Sequence, residues 1–214
     1  MLSAKEVMGI SPIIPVLAIE DASKAVELAR AFQKGGINIM EITLRTKEAL
    51  AAIEKVANEL PSMTVGAGTV LNCEQFKQAK DAGAKFVISP GMTLSLLDYS
   101  QDAGVCFIPG VASASDIMLG MEYGLSSFKL FPANIVGSQQ ALKAFSGPFS
   151  GVSFCPTGGV NLENLNDYLS LKNVLCVGGS WICPKELLES GDFEGIIQLC
   201  KDALEHVKGG KKDE

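Results

Sequence analysis

"SSFKLFPA", residues 126–133, sets one lysine in the middle of a run that otherwise reads as a buried strand. Desolvation disfavours an ammonium group in an apolar interior. A chain that keeps Lys129 there either lets it escape to solvent or uses it. Side chains alternate along a strand, so Ser127, Lys129 and Phe131 share one face while Phe128 and Leu130 share the other. The bulky even face suits packing against helices, which turns Lys129 inward. In a barrel, that inward face is the lumen.

The rest of the chain has the matching rhythm. Eight β-like runs recur: "IIPVLAI" (13–19), "INIMEITL" (37–44), "MTVGAGTV" (63–70), "FVISPG" (86–91), "VCFIPGV" (105–111), "SFKLFPA" (127–133), "SFCPTGG" (153–159) and "VLCVGGS" (174–180). Amphipathic segments separate them, among them "ASKAVELARAFQKGG", "TKEALAAIEKVANELP", "NCEQFKQAKDAGA" and the long "DFEGIIQLCKDALEHV", many followed by the glycine expected after a helix end. Eight βα units predict an α/β fold, a (β/α)8 TIM barrel with a short N-terminal helix. The competing doubly wound open sheet lacks a GxGxxG after its first strand. We expect a single barrel domain over 1–214, with "KGGKKDE" (208–214) as a frayed tail.

Composition limits the partners. Apolar residues make up 47% and charged residues 20%, an ordinary globular balance, and no apolar run reaches the length of a membrane span. A net charge of -6 argues against nucleic acid as the main partner. Pro12 and Pro15 interrupt the apolar N-terminus and no cleavage site follows a basic start, so no export is expected. The six cysteines form no CxxC pair and read as reduced, buried thiols of a cytoplasmic protein. The only histidine, His206, falls in the terminal helix, which excludes histidine-based metal sites and histidine general bases. Neither a metal nor another cofactor is expected.

What remains is amine chemistry. The alternation applied to "INIMEITLR" puts Glu41, Thr43 and Arg45 on one face, polar groups at i, i+2 and i+4 on an otherwise apolar strand. Glu41 lies deep, and Arg45 stands roughly 13 Å further along, toward the rim, at about 3.3 Å per residue. "GAGTV" (66–70), "PTGGV" (156–160) and "VGGSW" (177–181) bring backbone amides to the strand ends, and the last two fall on strands seven and eight, where barrels commonly hold phosphate. Each residue has a plainer reading: Lys129 and Glu41 as a buried structural ion pair, Arg45 as a rim salt bridge, Thr69 as a cap. Those readings explain the residues singly and leave their convergence at one barrel end unexplained. A desolvated lysine in a metal-free lumen suits attack on a ketone, with the iminium as an electron sink.

"EITLRT", "GAGTVL", "FVISPG", "KLFPA", "FCPTGG" and "GGSW" occur in the order and spacing of the 2-keto-3-deoxy-6-phosphogluconate (KDPG) aldolases, a family that includes 4-hydroxy-2-oxoglutarate aldolase activity. The chain resembles that family over roughly residues 5–205. The resemblance implies a class I, metal-independent aldolase, cytoplasmic and homotrimeric, that cleaves KDPG to pyruvate and glyceraldehyde 3-phosphate in the Entner–Doudoroff pathway. It assigns Lys129 as the Schiff-base lysine, Glu41 as the general acid/base, Arg45 and Thr69 as the grip on the pyruvyl carboxylate, and Phe131 as the wall beside the imine. Gly158, Gly159 and Ser180 match the phosphate-binding positions. Asn134 stands where some members carry an acid after "FPA", and Ala18 where some carry a basic residue in the first strand. Three alternatives stay open, namely 4-hydroxy-2-oxoglutarate as the substrate, a sugar-phosphate isomerase or epimerase that would not need Lys129, and a non-catalytic sugar-phosphate sensor that binds without turnover.

Overall fold

The computed structural model describes residues 1–209. Its elements run α1 (Ala4–Gly9), β1 (Ile13–Leu17), a 3-10 turn (Ala22–Lys24), α2 (Ala25–Lys34), β2 (Ile39–Thr43), α3 (Ala49–Glu59), β3 (Thr64–Gly68), α4 (Cys73–Asp81), β4 (Phe86–Ile88) and α5 (Leu94–Asp102). The second half continues with β5 (Cys106–Ile108), β6 (Gly110–Val111), α6 (Ala114–Glu122), β7 (Ser127–Leu130), α7 (Ser138–Ser146), β8 (Ser153–Pro156), α8 (Leu165–Leu169), β9 (Val177–Gly179), α9 (Lys185–Ser190) and α10 (Phe193–Gly209). The α10 helix takes in Lys208 and Gly209, the first two residues of the expected tail; the remainder, 210–214, lies outside the described residues.

Local chemistry explains the helix starts. Ser3 and Glu6 form a capping box on α1, Ser113 and Asp116 do the same on α6, and Asn72 and Thr93 accept backbone N–H bonds at the starts of α4 and α5. The strands are short apolar runs buried on both faces, the pattern of a parallel sheet covered by helices. All the strand pairs are parallel.

The ladders form two sheets, one of six strands in the order β5-β4-β3-β2-β1-β9 and one of three in the order β6-β7-β8. The eight expected runs are therefore nine strands. Pro109, which has no N–H to give a ladder, separates β5 from β6 within the run 105–111. At the other junction, single parallel bridges join Phe154 to Val174 and Thr157 to Gly178. Most strands also stop two or three residues before the C-terminal ends expected for them, where the chain turns out of the sheet.

Helices pack on the outer faces as the alternation requires. Phe128 lies against α6 so closely that a Cβ on Gly120 would run into its ring, and Phe154 stacks on Phe145 of α7 at a centroid distance of 6.0 Å. The buried apolar side chains make one contiguous cluster that includes Phe32, Phe76, Phe86, Phe128 and Phe154. Each such ring withdrawn from water contributes about 1.5–3 kcal/mol. The α9 helix, which was not expected, buries no side chain and is held at its C-terminal end by Lys24, whose Nζ donates to the carbonyls of Leu188 and Glu189 at 3.3 and 2.7 Å.

Candidate active site

Two strands from different sheets supply the centre. Lys129, in β7, donates from Nζ to Glu41 Oε1 at 3.1 Å, and Glu41 comes from β2. Both side chains are withdrawn from solvent: Lys129 is 5% exposed and Glu41 1%. The alternation along each strand thus turned both groups to the same interior. The ring of Phe131 stands 5.3 Å from Nζ, within the range of a cation–π contact.

Room for the Glu41 carboxylate is made by the neighbouring strand. Gly68 in β3 lies beside Thr43 in the ladder, and a Cβ placed on it would meet Glu41 Cγ and Cδ at 2.6 Å and clash with Oε1. Only glycine leaves that space open. This dependence, and the equivalent one between Gly178 and the Thr157 hydroxyl, was missed in the sequence, because "GAGTV" and "VGGSW" were read for their backbone amides and not for the side chains opposite. Thr157, buried at the end of β8, was not singled out either; its parity with Cys155 was the available signal.

The rim carries the remaining residues. Arg45 lies two residues past the end of β2 and donates from Nε to the Thr43 hydroxyl at 3.0 Å; no carboxylate among the described residues pairs with it within 4.0 Å. Thr69 follows β3 with φ +58°, a left-handed conformation that a β-branched residue adopts only under strain. Gly158 and Gly159 also turn through positive φ, +103° and +73°, and the Thr157–Gly178 bridge makes this turn a neighbour of the segment Gly179–Ser180. Ser180 is exposed. The glycine-rich ends of β8 and β9 therefore meet. The side chain of Asn134 closes over the same turn, since a Cβ on Gly159 would meet its Cβ at 2.6 Å.

A cleft of about 530 Å³ opens beside these residues, walled by Val16, Ala18, Lys24, Arg45, Ser180 and Lys185 among others. The deep pair, Lys129 and Glu41, is not part of its walls. Burial pushes the thiols of Cys106, Cys183 and Cys200 up to about 12, and Cys176 is raised by burial and by its neighbour Cys155. Such thiols are poor nucleophiles. Among the described residues no group of three or more His, Cys, Asp and Glu side chains could hold a metal ion, and no helix is long and apolar enough to cross a membrane. The arrangement offers a primary amine with a proton acceptor beside it, an aromatic wall, and a free guanidinium nearer solvent.

Residues 4–199 match the family model described as KDPG and KHG aldolase. The KHG/KDPG aldolase of Escherichia coli (strain K12) is 47% identical over 206 residues, spanning 96% of this chain and 97% of that protein. The KDPG aldolase of Legionella pneumophila, solved with pyruvate captured as a covalent carbinolamine intermediate, superposes with a TM-score of 0.92 at 46% identity, covering 94% of this chain and 97% of that one. The enzyme of Zymomonas mobilis ZM4, solved with 3-phosphoglycerate, gives a TM-score of 0.87 at 44% identity over 92% and 93% of the two chains. With its sequence matched over residues 4–199, its fold superposed and a buried lysine beside a carboxylate, this chain belongs to the KDPG and KHG aldolase family.

Proposed function

We propose that the protein is a class I aldolase that cleaves KDPG to pyruvate and glyceraldehyde 3-phosphate, with 4-hydroxy-2-oxoglutarate as a second substrate, and that Lys129 is its Schiff-base residue. The observation that carries this reading is the buried Lys129 Nζ, 3.1 Å from Glu41 Oε1. The covalent pyruvate intermediate of the Legionella relative and the 3-phosphoglycerate bound to the Zymomonas relative support the two halves of the substrate. The second substrate rests on the name of the Escherichia coli relative. A sugar-phosphate isomerase or epimerase would leave the lysine–carboxylate pair without a task.

Attack on the C2 carbonyl requires the neutral amine, and Glu41 is placed to take the proton. Addition gives a carbinolamine; Glu41 returns a proton to the departing hydroxyl, and loss of water leaves the iminium. Removal of the C4 hydroxyl proton then breaks the C3–C4 bond, its electrons pass into the iminium, and the aldehyde leaves. Reprotonation of the enamine at C3 and addition of water release pyruvate and restore the amine. Arg45 and Thr69 hold the pyruvyl carboxylate, Phe131 packs beside the imine, and Gly158, Gly159 and Ser180 receive the phosphate. No cofactor enters these steps.

Several features support a wider reading of the molecule. The break at Pro109 and the bridges between β8 and β9 fit closure of the two sheets as one (β/α)8 barrel, and the contiguous core fits a single domain. Met118 and Met121, at i and i+3 on α6, are 57% and 47% exposed, which suits a helix covered in a homotrimer. Free cysteines throughout fit a cytoplasmic location. The test of the central proposal is borohydride reduction in the presence of pyruvate. A stable adduct should map to Lys129, and Lys129→Ala should neither trap pyruvate nor release it from KDPG; an unmodified lysine, or full activity without it, would refute the assignment.

A further inference from the structure

We infer that Thr43 is a positioning residue for substrate binding: its hydroxyl orients the Arg45 guanidinium toward the keto-acid carboxylate. The hydroxyl has a single proton, and it goes to the Leu17 carbonyl of β1 at 2.7 Å. Its lone pairs then face the Arg45 Nε–H, which donates to it at 3.0 Å. The side chain cannot turn to reverse these roles, because Thr43 is buried, 1% exposed, opposite Gly68 in the β2–β3 ladder. A threonine hydroxyl committed as donor on one side is thereby a fixed acceptor on the other.

Fixing Nε has a consequence at the far end of the planar guanidinium. Arg45 is exposed and forms no ion pair among the described residues, so without a tether its long side chain would sample many rotamers. With Nε held, the plane is set and the terminal amino groups stay free for a carboxylate, which matches their fork. Thr46 shows that the bond is selective. Its hydroxyl makes the same kind of link, to the Ile19 carbonyl of the β1 end at 2.6 Å, and no hydrogen bond joins it to Arg45.

This inference rests on Arg45 as the carboxylate grip, and the experiment separates the two. The carboxylate keeps its charge throughout the reaction, so loss of preorganisation should raise KM and spare kcat. Cleavage of KDPG is followed by pyruvate release, and the pyruvate concentration that half-saturates borohydride trapping is measured alongside. Thr43→Val should raise both KM and the half-saturating concentration roughly tenfold, the value of one hydrogen bond to a charged group, with kcat within about twofold. Thr43→Ser should restore wild-type values, and Thr46→Val, which loses a comparable bond to the segment just past the same strand, should leave KM unchanged.

If Thr43→Val does not fold, Thr43→Ala, which leaves room for a water at the Leu17 carbonyl, serves in its place. In an Arg45→Ala background the Thr43 substitution should add nothing. An equal further rise in KM in that background, or an equal rise in Thr46→Val, would overturn the positioning role. An Arg45→Ala protein with unchanged KM would instead overturn the carboxylate grip itself, and with it the inference.

Discussion

Replacing Gly68 by alanine adds one methyl group against the Glu41 carboxylate, and it should nearly abolish cleavage. The new Cβ would lie 2.6 Å from both Cγ and Cδ of Glu41, roughly 1 Å short of ordinary contact, and would clash with Oε1. The strand backbone is held by ladder bonds on both sides, so the carboxylate is the part that moves. A displacement of about 1 Å in a catalytic group costs about a hundredfold in rate, and loss of general acid–base assistance altogether costs about 10²–10⁴-fold. Stability should fall as well, by about 1–3 kcal/mol for overpacking, more if the bond to Lys129 breaks and leaves two buried charges unpaired. Steady-state pyruvate release gives the rate, urea denaturation gives the stability, and Gly68→Ser serves as a bulkier control. A Gly68→Ala enzyme that keeps its wild-type kcat would refute the view that Glu41 in this position moves the protons.

Thr69→Gly relieves a left-handed strain of about 1–2 kcal/mol against an added chain entropy of about 0.5–1 kcal/mol; the urea midpoint should hold or rise while KM for KDPG increases, and a large loss of stability would show that the strain is absent. Ser180→Glu puts a carboxylate where the phosphate is expected, so kcat/KM on KDPG should fall far more than on 4-hydroxy-2-oxoglutarate; equal losses on both would remove Ser180 from phosphate binding. Folded Cys106, Cys183 and Cys200 hold their protons up to about 12 whereas the unfolded thiols release them near 9.0, so their contribution to stability is complete below pH 9 and is lost as pH rises toward 12. Urea midpoints measured above pH 9 should decline, and Cys183→Ala should flatten part of that slope; an unchanged slope would mean its burial does not carry over to solution.

Much of the centre was legible because strand alternation is a local rule. The parity of "SFKLFPA" and "INIMEITLR" places Lys129 and Glu41 in one interior, and their 3.1 Å contact is the outcome. Phe128 on the helix side follows from the same rule. What escaped depends on neighbours distant in sequence. Gly68 is needed because of Glu41, Gly178 because of Thr157, and the Gly159 turn is covered by Asn134, none of which a single run of residues discloses. Strand ends were overextended for a related reason. "SPG", "FPA" and "TGG" carry apolar or small residues that read as strand, yet the backbone there leaves the ladder, and only the partners in three dimensions show where. The α9 helix escapes the sequence because "KELLES" carries only two adjacent half-buried leucines, which set no helical period to detect.

The way α9 is anchored divides the molecule mechanically. Only the half-buried Leu187 and Leu188 root this short helix apolarly, and the Lys24 ammonium clasps its last carbonyls, whereas Glu41 and Lys129 belong to fully buried strands. The lysine–carboxylate pair thus sits on a stiff floor, and α9 forms a lightly fastened wall of the cleft. A lightly fastened cleft wall can shift without disturbing the strands that hold Lys129 and Glu41.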